Sequence, residues 1–149
     1  MLLIRGACSS DVLFLYELYM KHITQSPPKE PHNIAKWSAL LKKLIENSDY
    51  HLLVGEIGSR VISSVTIVVI SNLTHNLRPY SLIENVVTHS DHRNKGYASA
   101  LMSRASEIAS ENDCYKIMLM TGAKSENTLR FYEQCGFNRN DKTAFIKWL

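Results

Sequence analysis

The stretch from Ser81 to Ala98 constrains this chain more than any other. Leu82-Ile83-Glu84-Asn85-Val86-Val87-Thr88 has the β-branched and aliphatic make-up of a strand, and His89 to His92 is a polar break. Arg93-Asn94-Lys95-Gly96-Tyr97-Ala98 then leads into a run with Leu101, Ala105, Ile108 and Ala109 at helical spacing. A strand feeding a helix through a short loop needs other strands beside it and helices to cover it, which predicts an α/β arrangement. Gly96 lets backbone come close to a ligand, and the helix start brings several N–H groups without intrahelical partners to one point. With Arg93 and Lys95 beside it, that point favours a pyrophosphate. The helix dipole adds ~0.3–1 kcal/mol, and the convergent donors supply the geometry. Taken alone, one glycine with two cations is more often the pattern of a solvated basic turn before a helix.

The rest of the chain supplies the neighbours. Leu2 to Arg5 reads as a short strand, and Ser10 or Asp11 as the cap of a helix carrying Val12, Leu15, Tyr16, Tyr19 and Ile23 on one side. Thr24 to Asn33 holds three prolines and reads as a structured loop. Asn33 caps a second helix, whose Ile34, Trp37, Leu41, Leu44 and Ile45 form an apolar face ending near Asn47 and Ser48. Tyr50 to Glu56 and Val61 to Ile70 are strands joined at Gly58 and Ser59, a hairpin pattern, and Tyr80 to Thr88 is the next strand. After the helix from Gly96 to Glu111, a buried strand is predicted over Tyr115 to Met120. A helix follows from Ser125 to Cys135 with Gly136 as its left-handed stop, and a last strand over Thr143 to Trp148. The predicted order is β-α-α-β-β-β-α-β-α-β.

Size and composition bound the rest. A chain of 149 residues, 45% apolar, is the length of one domain with a continuous core, so a single domain over 1–149 is expected. A net charge of +3 with both signs mixed is too weak for a nucleic-acid or membrane surface. Cys8, Cys114 and Cys135 lack CxxC spacing, which argues against a disulfide framework or zinc knuckle and fits a reducing cytoplasm. The amino terminus reaches Asp11 too soon for a signal-peptide core, and the longest apolar run, Val61 to Ile70, falls short of a membrane helix of ~20 residues. A soluble cytoplasmic protein is therefore expected.

Three segments, in order, resemble the GNAT acyltransferase superfamily. RNKGYA matches its R/Q-x-x-G-x-G/A signature between a strand and a helix, with Ala98 where glycine is commoner. YKIMLMTG is similar to the family's following strand, and ENTLRFYEQCGF to its last helix. Within the superfamily, IENVV, CYKIML and FYEQCGF are most similar to the glucosamine-6-phosphate N-acetyltransferases, although Asn85 stands where their I-E-D-V/I-V pattern has an aspartate. The resemblance implies layered α and β structure around a mixed, mostly antiparallel sheet, flanked by helices and splayed between the strand ending at Thr88 and the strand starting at Tyr115. It further implies acetyl-CoA as co-substrate, its diphosphate on Arg93, Asn94, Lys95, Gly96, Tyr97 and Ala98, and its pantetheine beside Asn85, Val86, Val87 and Thr88 as an added strand would lie. A bulge in that strand re-aims one N–H, of Val86 or Val87, toward the thioester carbonyl.

The implied reaction is attack of an amine on the thioester in a ternary complex, without a covalent enzyme intermediate. A free alkyl amine has a pKa around 10 and must lose a proton first. Glu84 is the candidate base, directly or through water, with partial burial favouring its neutral form. Tyr132 is the candidate donor to the leaving sulfur, and Asn127 a holder of the pantetheine or its phosphate end. Each has a plain structural reading beside it: a strand carboxylate paired to a surface cation, an aromatic in a helix core, and a first-turn polar residue. Phe131 reads as core. The acceptor is a small-molecule or peptide amine, no metal is called for, and a homodimer rests on the resemblance alone. A non-catalytic CoA-binding regulatory module is the rival reading, and an unrelated nucleotide-binding domain lacks the P-loop or GxGxxG it needs. His89 and His92 read as ordinary surface histidines and Cys135 as packing. Tyr16, Tyr19 and Trp37 read as core that could also line an acceptor pocket with the Pro27 to His32 loop.

Overall fold

The computed structural model describes residues 1–24 and 33–149, so the three-proline loop, with the acceptor-pocket role considered for Pro27 to His32, lies largely outside the described residues. The chain divides into two units, Met1–Met118 and Leu119–Leu149. The first holds β1 (Leu3–Gly6), α1 (Val12–His22), α2 (Ile34–Ile45), β2 (Tyr50–Ile57), β3 (Arg60–Ile70), β4 (Tyr80–Thr88) and α3 (Tyr97–Glu111). Strand β5 (Ile117–Leu119) begins in the first unit, and α4 (Glu126–Gln134) lies in the second.

The strands form one open sheet in the order β1-β2-β3-β4-β5. The first three pairings are antiparallel. At the start of β4, the Tyr115 N–H donates to Pro79 O at 2.9 Å and the Ser81 N–H to Lys116 O at 3.0 Å, so both chains advance together and the sheet is mixed. Gly58 and Ser59, at φ +55° and +61°, make the two-residue turn that joins β2 to β3 with the twist their strands require.

Side-chain alternation puts helices on both faces. Leu52 and Val54 of β2, Val61 of β3 and Val87 of β4 join Leu15, Leu18 and Leu41 of α1 and α2 in one buried cluster. The next residue along β2, Gly55, faces the other way and meets Leu101 of α3. Along α3, Leu101, Ala105, Ile108 and Ala109 are buried, as their spacing predicts, and Met102 is buried beside them. The Asn33 side chain caps α2 by accepting from the Ala35 and Lys36 amides at 2.9 and 3.3 Å.

Four expectations need correction. Asp11 precedes α1 but does not cap it, because its carboxylate is taken by the Arg5 guanidinium at 2.7 and 2.8 Å and by the Cys8 amide at 2.8 Å. Ile23 is exposed beyond the end of α1, and Leu18 occupies the buried position in its place. The buried strand over Tyr115 to Met120 is three residues long and only half-buried. Tyr115 and Lys116 are drawn instead into a surface cluster, with Tyr115 stacked on His75 at 3.9 Å and the Lys116 ammonium 5.2 Å from the rings of Tyr80 and Tyr115. In the second unit, Thr143 to Trp148 forms no strand, and Phe145 and Trp148 are exposed. Its Phe-Ile-Lys-Trp run does not alternate apolar with polar residues, so it has no single face to bury as a strand.

Candidate active site

Strand β4 carries an irregularity at the place where the candidate residues fall. Ser64 of β3 pairs with Val87 and Thr66 with Glu84, so one residue on β3 faces two on β4, Asn85 and Val86. Asn85 takes φ +54°, a left-handed conformation that asparagine tolerates better than most residues. This is a bulge, and it breaks the alternation of β4 between Glu84 and Val87. Glu84 and Asn85 are exposed, Val86 and Thr88 are half-buried, and Val87 is buried. The burial expected for Glu84 is therefore not found: the bulge leaves this carboxylate on the open surface of the strand. The end of the strand is tied back to β3, where the Ser63 hydroxyl donates to Val87 O at 2.8 Å and lies 2.8 Å from Thr88 Oγ1. On the α1 side, Tyr19 Oη and Ser64 Oγ are 3.1 Å apart. Burial pushes the Tyr19 phenol up, so it stays protonated and able to donate.

Beyond Thr88 the chain makes a single 3-10 turn, Ser90–His92, and enters α3 through Gly96. Gly96 sits at φ +78°, and no atom lies within 4 Å of where a Cβ would be, so the backbone there is open to an approaching group. It provides no side-chain cap, and the first amides of the 15-residue α3 have no acceptor within the helix. Arg93 Nε donates to Thr88 O at 3.2 Å, and Lys95 Nζ to Asp91 O at 2.9 Å. The two cations expected to meet an anion thus also brace the loop that presents the amides. Asn94, at φ +58°, makes the reversal between them. Arg93 to Gly96 are exposed, and Tyr97 and Ala98 are half-buried.

The histidines of this loop are not ordinary surface residues. His89 and His92 are half-buried, and the His89 ring lies 4.6 Å from that of His22 on α1 and 5.9 Å from that of His92. Among the described residues, no group of three or more His, Cys, Asp or Glu side chains is arranged to hold a metal ion.

In the second unit, Asn127 is exposed in the first turn of α4 and Tyr132 is half-buried, edge-on to a half-buried Phe131 at 5.0 Å between ring centroids. The cap of α4 is Ser125, whose hydroxyl accepts from the Thr128 amide at 3.4 Å, so Asn127 is not needed for capping. Cys135 is half-buried at the end of this helix, and Gly136 follows at φ +93°. Arg139 binds both Glu126 and Glu133 of α4, at 2.9 and 2.6 Å.

A cavity of about 490 Å³ lies elsewhere, bounded by β1, the start of β2 and the later turns of α3. It borders the β1 end of the sheet, whereas the bulge and the glycine loop belong to β4, three strands away.

The chain belongs to the acetyltransferase (GNAT) family, whose model matches residues 13–137. It is 27% identical over 135 residues to a glucosamine 6-phosphate N-acetyltransferase of Trypanosoma brucei brucei, covering 89% of this chain and 86% of that protein. A putative acetyltransferase from Agrobacterium tumefaciens str. C58 has a similar structure, at TM-score 0.88 and 32% identity over 98% of this chain and 99% of the other. The structure of a protein named as a transcriptional regulator, from Bacillus halodurans C-125, is similar at TM-score 0.86 and 25% identity, covering 99% and 100% of the two chains. The family supports acyl transfer from acetyl-CoA to an amine. No helix among the described residues is long and apolar enough to cross a membrane.

Proposed function

We propose that this protein is a single-domain enzyme that acetylates the primary amine of a small molecule or peptide, with acetyl-CoA as co-substrate bound along β4 and the loop after it. The observation that carries the reading is the bulge at Asn85 in the same strand that runs into the Gly96 loop. One element then offers unpaired backbone to the pantetheine amides and a set of free helix amides to the diphosphate. Acetyl-CoA supplies the activated acyl group. The chain's own residues orient it and move two protons.

In this reading the Val86 or Val87 amide, re-aimed by the bulge, donates to the carbonyl oxygen as charge develops on it. Glu84, exposed to solvent, takes the ammonium proton through an ordered water or directly, which frees the nitrogen lone pair. The nitrogen bonds to the acyl carbon, the carbon–sulfur bond breaks, and, in the role the family resemblance gives it, Tyr132 gives its proton to the departing sulfur while the nitrogen releases its second proton to restore the phenol. Asn127 holds the pantetheine or its phosphate end. Glucosamine 6-phosphate is the first acceptor to try, on the strength of the trypanosomal relative's name. The departure at Asn85 from that family's aspartate makes other small amines the next set. A cytoplasmic location and a homodimer belong to the same reading.

The test is a thermal-shift titration with acetyl-CoA, CoA and ATP, followed by a thiol-release assay over a panel of amines. A ligand at ~100 times its dissociation constant adds about 2.7 kcal/mol, a rise of several degrees for a chain of this size. A shift with both CoA species and none with ATP supports the cleft, and thiol release with an amine supports the enzyme. Binding without release under any amine would favour a regulatory CoA-binding module, a role in keeping with the regulator name carried by the similar Bacillus halodurans protein. No shift with either CoA species defeats the reading.

A further inference from the structure

The loop that leads into α3 is organised by one imidazole nitrogen. His89 Nδ1 accepts the Asp91 N–H at 3.3 Å and so caps the 3-10 turn Ser90–His92. His89 is itself fixed to the sheet, its N–H donating to Ile62 O at 2.8 Å, while its carbonyl takes the His92 N–H at 2.9 Å. Each later contact of the loop is built on this turn. The Arg93 N–H donates to Ser90 O at 3.3 Å, and Lys95 Nζ donates to Asp91 O at 2.9 Å, immediately before Gly96. Where the turn sits decides where the free amides of α3 point.

We propose that His89 is a positioning residue for the diphosphate loop and that it acts only as the neutral imidazole, making coenzyme affinity fall as His89 takes up a proton. The inference rests on the cofactor site proposed above. An imidazolium carries N–H on both ring nitrogens, so a proton on Nδ1 sets two donors against each other and removes the cap. The nearest alternative partner is the Asp91 carboxylate, 3.8 Å from Nδ1, and pairing with it draws the ring off the amide.

The surroundings decide which ring carries the effect. Facing His89 are Glu17 and His22 of α1 and, in its own loop, Asp91 and His92, while the charges of Lys21 and Arg93 act on the neighbouring His22. Glu17 is already engaged by Lys21 and by Arg60 at 3.5 Å. Burial first, then His89, Arg93 and Lys21, push His22 below the usual histidine range, so His22 takes up a proton less readily than an ordinary histidine. A positive charge on His89 also attracts an anion. Its side chain is 20% exposed, and salt screens it within about 8 Å, whereas the cap is lost outright.

The test is calorimetric titration of CoA from pH 5.5 to 8 into wild type, His89→Asn and His89→Ala. Asparagine is among the best capping residues and does not titrate, so His89→Asn is expected to bind within about threefold of wild type at pH 7.5. Wild type is expected to lose about three- to tenfold more affinity than His89→Asn between pH 7.5 and 5.5. His89→Ala is expected to be weak by a similar factor at both ends. The phosphomonoester of CoA titrates in the same range, but equally for all three proteins, so the difference between profiles isolates His89. Nitrogen-15 spectra of the ligand-free protein give a separate readout: Nδ1 of His89 must be unprotonated at pH 7.5, and a proton found there overturns the inference. Superimposed wild-type and His89→Asn profiles with CoA still bound defeat it while leaving the cofactor site standing. Absence of CoA binding at every pH defeats both.

Discussion

Asn85 takes a left-handed backbone in the middle of a strand whose other residues are chosen for extended structure. Substitution by glycine is expected to leave melting within about 0.5 kcal/mol of wild type, because glycine reaches the same region at no steric cost. Valine there is expected to cost about 1–2 kcal/mol and to weaken CoA binding, since a β-branched residue at positive φ either strains or flattens the bulge. Both are checked by denaturant unfolding beside a CoA titration. At Gly96, glutamate adds strain at φ +78° and a negative charge where an anion is to sit, so Gly96→Glu is expected to abolish CoA binding in a protein that still unfolds cooperatively. Tyr132→Phe separates chemistry from affinity. Turnover is expected to drop ~10²- to 10⁴-fold with the CoA dissociation constant unchanged, and unchanged turnover would remove the proton-donor role.

Among elements, the junction of β1 and α1 is held by the ion pair of buried Asp11 with half-buried Arg5, which also binds Glu56 of β2 at 2.7 Å. Burial pushes the Asp11 carboxyl up, and the Arg5 hydrogen bonds, the Cys8 amide and the Arg5 charge together outweigh it, leaving Asp11 below the usual carboxylate range. Its folded-state pKa being depressed, the pair contributes its full stability above the unfolded value of about 4. That contribution is lost as pH falls through the lower folded value. Asp11→Asn is expected to cost about 2 kcal/mol at pH 7, allowing for the part of Arg5 that water reaches, and to flatten the stability profile below about pH 4. An unaltered acid limb in urea unfolding would show that other carboxylates set it. The β2–β3 hairpin needs no such pair, since Gly58 and Ser59 fix its turn and the β-branched run of β3 fixes its place at the centre of the sheet.

For the whole molecule, the first unit places the two parts of the candidate site on one continuous stretch of chain, β4 and the loop into α3. In the proposed reading ligand recognition there is mostly a matter of backbone, which side chains shape: Ser63 on Val87, Arg93 on Thr88, Lys95 on Asp91. A net charge of +3 adds a weak general attraction for an anionic co-substrate. Raising salt from 0.05 to 0.5 M is accordingly expected to weaken CoA binding by less than tenfold, as read by calorimetry. A steeper fall would mean that exposed cations, and not convergent amides, carry the anion.

The sequence by itself determined the elements with strong local signals. Periodicity located α3 and its buried residues, Asn33 and Ser125 declared the helix starts, and the β-branched runs with Gly-Ser between them declared the hairpin. It also determined the strand-loop-helix unit and, by resemblance, the family. What it left to tertiary structure depended on partners distant in the chain. Asp11 looked like a cap until Arg5 claimed its carboxylate, and Tyr115 and Lys116 looked like strand until His75 and Tyr80 gathered them at the surface. Glu84 was expected to be partly buried, and its exposure emerges only when β4 is laid against Ser64 and Thr66, which fixes where the bulge falls. His89 and His92 looked like solvated residues because nothing nearby in the chain forecasts that His22, 67 residues before His89, will pack against the His89 ring, which in turn meets His92. Local sequence sets what the backbone prefers residue by residue. Register, burial and charge pairing are set by which segments meet, and that only the folded chain decides.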